Sequence, residues 1–151
     1  MDKVLSYDLK NKVFVVTGGS RGIGLNLAAH LLAQGANVTI CGRKEAGLNE
    51  AVTSLNAGGR LLAIAAHVAK VEDVDKLMDR TMETFGRLDG LINNVGMNIA
   101  TSCVDADPSL WQKIIDSNLN GTFLCARKAA RIMREQQQGK IVNITSLAAS
   151  R

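Results

Sequence analysis

Proline, tryptophan and tyrosine each occur once among the 151 residues, and aromatic residues amount to only 3%. With so little proline the connections must turn on another residue, and 14 glycines are present to do so. Cysteine is scarce as well. Cys41, Cys103 and Cys125 are odd in number and share no CxxC spacing, which excludes a zinc cluster and a disulfide framework. They read as small core residues of a protein in a reducing compartment. No apolar run approaches the length of a membrane helix, and Met1 to Leu9 carries Asp2, Lys3 and Asp8 where a secretory signal would be apolar. The cytoplasm follows as the default location. No run of Lys or Arg exceeds two residues, so the net charge of +4 reads as a solvated surface with a few phosphate ligands and not as a nucleic-acid face.

What is present fits one ordinary domain with a real core: 46% hydrophobic and 21% charged residues in a chain of this length. Its organising stretch is Thr17 to Gly24 (TGGSRGIG), where the apolar run Lys12 to Val16 enters a glycine-rich turn and then a helix from Gly22 to Gln34. Glycines at Gly18, Gly22 and Gly24 allow a sharp turn, close approach to a ligand and tight packing of helix on strand, and a side chain at any of them is expected to intrude. The first N–H groups of that helix are unpaired and make an anion site, most often for phosphate. Further strands are predicted at Asn37 to Cys41, Leu61 to Val68, Leu88 to Asn93 and Lys140 to Ile144. Helices are predicted at Lys44 to Leu55, at Glu72 to Phe85, and as one long region from the capping pair Asp107-Pro108 to about Gln136. Strand and helix alternate with short links, which predicts an α/β fold, a doubly wound parallel sheet covered by helices on both faces.

From about Asp8 to Ser150 the chain resembles the short-chain dehydrogenase/reductases, through several motifs in order. TGGSRGIG is similar to the family's TGxxxGxG, NNVG at Asn93 to Gly96 to its NNAG, and NLNGTF at Asn118 to Phe123 to its NxxGxF. IVNITS at Ile141 to Ser146 resembles the strand that carries the family's catalytic serine. The resemblance implies a Rossmann-type sheet and hydride transfer between a nicotinamide cofactor and a carbonyl or alcohol.

On that reading Gly18, Ser20, Arg21, Gly22, Ile23 and Gly24 form the cofactor turn. Arg43 follows the second strand where a Rossmann fold holds the adenosine ribose. Cys41-Gly42-Arg43-Lys44 offers no carboxylate for a ribose 2′-hydroxyl, while Arg21 and Arg43 can grip a 2′-phosphate; NADP(H) is the expected cofactor. His67-Val68 stands where the family usually has Asp-Val beside the adenine, and an imidazole cannot supply a carboxylate's charge. Asn94 holds neighbouring backbone or the cofactor's ribose, Gly96 permits close approach, and Val95 replaces an alanine with a small local shift. Asp89 reads as structural, His30 likewise, and no metal site is indicated. The resemblance gives Asn118 a helix kink that frees its carbonyl for a water in a proton relay, and gives Ser146 a hydroxyl that stabilises charge on the substrate oxygen.

The family's general acid is the tyrosine of a YxxxK motif beyond the serine, and here the only tyrosine is Tyr7, ahead of the first strand. The expectation is therefore that residues 1–151 are one NADP-binding domain recorded without its C-terminal strands, not competent alone, with an unpaired edge on the fifth strand. Two other readings stay open: a noncatalytic nucleotide-binding module, and a half-domain that folds only against a partner. The substrate is a small carbonyl or alcohol of unspecified kind, with sugars, polyols, steroids and 3-oxoacyl thioesters all open. A homodimer or homotetramer is implied by the resemblance.

Overall fold

The structure, a computed structural model, describes residues 7–146; Met1 to Ser6 and the segment after Ser146, to which the family resemblance extends, lie outside the described residues. The β-branched run Val13–Thr17 forms β1, buried throughout except for half-buried Phe14. It is followed by α1 (Gly22–Ala33), β2 (Asn37–Gly42), α2 (Glu45–Leu55), β3 (Leu61–Ala65), α3 (Val71–Phe85), β4 (Gly90–Asn93), α4 (Pro108–Ile115), α5 (Gly121–Glu135) and β5 (Lys140–Asn143). The five strands form one parallel sheet in the order β3-β2-β1-β4-β5.

Side chains alternate across a strand, and here both faces are covered. Val15 and Leu91 pack with Leu77 and Met78 of α3 and with Cys125 and Ala129 of α5. Val16, Val38 and Ile40 pack on the other face with Ala28 and Leu32 of α1 and Leu48 and Ala51 of α2. The chain winds outward from β1 to β3, then returns to place β4 on the opposite side of β1. That reversal opens a crevice at the carboxyl ends of β1 and β4, the position at which open α/β sheets bind ligands. No helix among the described residues is long and apolar enough to cross a membrane.

Most boundaries lie within one residue of the sequence pattern, and three differ by more. β3 stops at Ala65, because the His67 N–H leaves the ladder and donates to the Asp73 carboxylate at 2.7 Å. β4 begins at Gly90, since Leu88 instead pairs both backbone groups with the Gln136 side-chain amide, at 3.0 and 2.8 Å. The long helical region is broken by a π turn at Asp116–Asn120 between α4 and α5. Its start is as expected: the Asp107 carboxylate caps α4 by accepting the Ser109 N–H at 2.7 Å, with Pro108 in the first turn. Of the three cysteines only Cys41 and Cys125 are core residues; Cys103 is exposed.

Asp89 is structural, as its place in the sequence suggests. Its carboxylate accepts the Val13 N–H at 2.9 Å and both ends of the Arg87 guanidinium at 2.7 and 2.6 Å, with Lys12 Nζ at 3.4 Å. Burial alone would raise its pKa, but the Arg87 bonds, the Val13 N–H and the two cationic charges together hold the carboxyl below the usual range. A carboxyl lowered in the folded state contributes stability that is fully present above the unfolded value of about 3.9 and is lost as pH falls through the folded value. Asp89→Asn is therefore expected to lower stability by about 1–3 kcal/mol near neutral pH. Urea denaturation across pH should show the difference from wild type constant down to about pH 5 and shrinking below about pH 4.

Beyond β5 no further strand pairs among the described residues, and all four of its residues are exposed, with Ile141 and Val142 among the large apolar ones. An open parallel edge of this kind offers a row of free backbone groups and apolar surface to a neighbour.

Candidate functional site

The crevice is a cleft of about 350 Å³ walled by the turn after β1, the ends of β2 and β4 and the loop after β3. Thr17 organises its floor. The Thr17 hydroxyl accepts the N–H groups of Asn94 at 2.9 Å and Val95 at 3.2 Å, and the Asn94 amide donates back to the carbonyls of Thr17 at 3.0 Å and Gly18 at 3.3 Å. Asn94 therefore binds neighbouring backbone: it ties the end of β4 to the glycine turn and fixes the two walls at one separation.

The turn's glycines play different parts. Gly18 has φ +66°, a left-handed conformation that disfavours any side chain. At Gly24 a Cβ would overlap the Gly18 carbonyl oxygen and lie 2.6 Å from Asn94 Nδ2, so α1 can start this close to β1 only without one. Gly22 departs from the expectation that a side chain would intrude, for a Cβ there meets no protein atom within 4 Å; its glycine is required by φ +56° and faces open cleft. Gly19, which the motif alone does not single out, has its Cβ position 2.6 Å from the Ile40 side chain, so the turn lies directly on β2.

α1 begins at the cleft without protection. Its capping residue Arg21 makes no side-chain cap bond and its first turn has no acidic residue, whereas α4 is capped by Asp107 and α2 and α3 carry acids in their first turns. Arg21, Gly22 and Ile23 all line the cleft, as do Ser20, Gly42 and Arg43. The cleft wall contains two arginines and no carboxylate, and among the described residues neither Arg21 nor Arg43 forms an ion pair. Dipole and charge both favour an anion there. Cys41 also lines the cleft, but burial pushes its thiol up to about 11, against a Gly18 backbone bond that lowers it; it stays a protonated thiol and no nucleophile.

His67 and Val68 close the far end. The His67 ring Nδ1 accepts the Ala69 N–H at 3.2 Å, a turn that an aspartate could make with a carboxylate oxygen. Gly96 lines the cleft near Met97 and Ser117, while Gly24 lies behind the wall. Asn118 does not line it. Its side chain grips the Met97 backbone twice, accepting the N–H at 2.7 Å and donating to the carbonyl at 2.8 Å, and so anchors the loop after β4. Asn118 lies within the π turn, and its carbonyl, expected to be free for a water, accepts the Thr122 hydroxyl at 2.8 Å. Ser146 follows the end of β5 as an exposed residue outside the cleft lining. Tyr7 sits at the opposite end of α1, its N–H on the Gln34 side chain at 3.0 Å. His30 lies on the α1 surface, bonded to the Asn26 carbonyl at 2.8 Å. Thr17 and Ser117 are the contributors least visible beforehand; the threonine that opens TGGSRGIG was the available signal.

A parallel sheet wound on both faces, with a glycine turn, a bare helix N-terminus and arginines at its switch point, defines a Rossmann-type domain. The family model for short chain dehydrogenases matches residues 12–151. The chain belongs to the short chain dehydrogenase family. It is 38% identical over 142 residues to a 3-oxoacyl-[acyl-carrier-protein] reductase of Synechocystis sp., covering 93% of this chain and 58% of that protein. It is 35% identical over 144 residues to a 3alpha-hydroxysteroid dehydrogenase of Mediterraneibacter gnavus, with coverage of 93% and 58%. The crystal structure of 3-ketoacyl-(acyl-carrier-protein) reductase from Brucella melitensis complexed with NADH matches with a TM-score of 0.88 at 30% identity, covering 93% of this chain and 60% of that one. The chain thus spans somewhat over half the length of these relatives.

Proposed function

We propose that the cleft holds NADP(H) and that the chain supplies the nucleotide-binding part of an oxidoreductase acting on a carbonyl or alcohol. The observation that carries this reading is the charge of the cleft: two arginines outside any ion pair and an uncapped helix N-terminus, with no carboxylate on the wall. The backbone of Gly18 to Gly24 and the first N–H groups of α1 would hold the pyrophosphate. Arg21 and Arg43 would hold the ribose 2′-phosphate, His67 and Val68 would flank the base, and Asn94 and Gly96 would border the nicotinamide half. The Brucella melitensis relative is complexed with NADH, so preference for the phosphorylated cofactor rests on the two arginines of this chain.

Bound NADP(H) supplies hydride donor or acceptor chemistry. The residues here hold, orient and polarise. Asn118 fixes the Met97 loop beside the cleft, and the Ser146 hydroxyl would donate to the substrate oxygen as negative charge develops on it. That oxygen also needs a proton, and Tyr7, the only tyrosine, lies at the wrong end of α1. We assign the proton donor to the part of the relatives' length that this chain does not span. The two curated relatives act by name on different substrates, so the substrate class stays at carbonyl or alcohol. Assembly into a homodimer or homotetramer is supported by the exposed apolar residues Trp111 of α4, Leu119 of the π turn and Phe123 of α5, which are 62, 61 and 59% exposed. The free cysteines support a cytoplasmic setting.

A noncatalytic nucleotide-binding module is the second reading, favoured by the lack of a tyrosine among the described residues that line the cleft. NADPH oxidation by the full-length protein against a panel of ketones and aldehydes separates the two. Turnover that falls at least about a hundredfold in Ser146→Ala, with NADPH affinity held within about threefold, supports the oxidoreductase. NADPH binding without turnover on any substrate supports the module.

A further inference from the structure

The strand order locates the base. If the pyrophosphate lies at the turn after β1 and the ribose at the end of β2, the nucleotide continues in the same direction across the sheet to the loop after β3. Ala66, His67 and Val68 wall the cleft there. His67 is pinned within that loop: its N–H donates to Asp73 at 2.7 Å, its carbonyl accepts the Lys70 N–H at 2.9 Å, and its ring Nδ1 faces the Ala69 N–H at 3.2 Å. A backbone N–H can only donate, so Nδ1 presents its lone pair and the hydrogen of the neutral ring is assigned to Nε2. The remaining ring nitrogen is thus a donor and not an acceptor.

We infer that His67 reads the nucleotide's base as a hydrogen-bond donor, so that the site does not depend on the purine 6-amino group and takes a 6-oxopurine dinucleotide about as well as the adenine one. A donor is satisfied by the N7 that every purine carries or by a 6-oxo oxygen, and the adenine amino group gives it nothing. A carboxylate in the same place would behave in the opposite way. It would accept from the 6-amino group and be repelled by a 6-oxo oxygen. The residue at position 67 would therefore set base selectivity while the backbone turn it supports stays the same. This inference rests on the nucleotide reading above and adds to it the chemistry of one contact.

The test is calorimetric titration of the protein with NADPH and with its hypoxanthine analogue. Wild type should bind the two within about threefold of each other, and His67→Asp should favour NADPH by at least about tenfold. His67→Asn, which is the size of aspartate but keeps a donor, should stay within about threefold. Both variants retain an oxygen for the Ala69 N–H, and far-UV circular dichroism checks the fold. A wild-type preference for adenine of about tenfold or more overturns the inference and leaves the NADP(H) reading intact; so does an unchanged ratio in folded His67→Asp. Failure of wild type to bind either dinucleotide overturns both. If His67→Asp does not fold, the wild-type and His67→Asn ratios decide.

Discussion

Gly24→Val is expected to abolish NADPH binding, with the dissociation constant raised at least about a hundredfold in calorimetric titration. The first atom of any side chain at this position overlaps the Gly18 carbonyl oxygen and crowds Asn94 Nδ2. Neither obstacle is the free end of a flexible side chain. Gly18 is held at positive φ, and Asn94 is bonded to the carbonyls of Thr17 and Gly18 while its own N–H is held by the Thr17 hydroxyl. Relief therefore requires α1 to back away from β1, and the N–H groups at its start move with it. Overpacking of this kind costs about 1–3 kcal/mol of stability. The loss of binding should exceed that, because the phosphate contacts depend on the N–H groups at the helix start pointing at the anion. Gly24→Ala, the milder change, should lose about tenfold while keeping a wild-type far-UV spectrum. Binding within about threefold of wild type in Gly24→Val would show that the turn is not the phosphate site.

Arg43→Asp is expected to lower the ratio of NADPH to NADH affinity by about a hundredfold. Each hydrogen bond to a charged group contributes about 1.5–3 kcal/mol, so loss of the guanidinium alone removes a factor of about ten or more. The substituted carboxylate adds repulsion of a 2′-phosphate and an acceptor for a 2′-hydroxyl. No other cleft-lining carboxylate competes with it. Parallel titrations of wild type and variant with the two cofactors give the ratio, and an unchanged ratio would remove Arg43 from the site.

The architecture was legible because its signals are local. β-branched runs such as Val13 to Val16 can be buried on both faces only as central strands, and glycine at the end of β1 has few uses other than a turn. The features that escaped the pattern depend on partners distant in the chain or the fold. Leu61 to Val68 is apolar throughout except at His67, so nothing in it marks Ala65 as the last strand residue; the Asp73 carboxylate on α3 does that. The π turn falls where poor helix formers gather, at Asp116, Ser117, Asn118, Asn120 and Gly121, but the apolar residues on either side continue at helical spacing, so the pattern reads through it as one helix. For Asn94 the residue type allowed a bond to backbone or to ligand, and its side-chain amide donates to the carbonyls of Thr17 and Gly18, partners 77 and 76 residues away in the chain that no local pattern names. At Gly22 the expected crowding is absent, and the sharp turn, at φ +56°, is what requires glycine. Cys103, grouped with the core cysteines by composition, sits in a loop whose exposure no periodicity reveals.

The central claim is that this cleft is built for a dinucleotide bearing a 2′-phosphate. Calorimetric titration of the wild-type protein with NADPH and NADH under the same conditions tests it most directly. The account predicts binding of both, with NADPH tighter by at least about tenfold, and a preference that weakens as salt screens the two arginines. Equal affinities, tighter binding of NADH, or no binding of either cofactor would contradict it.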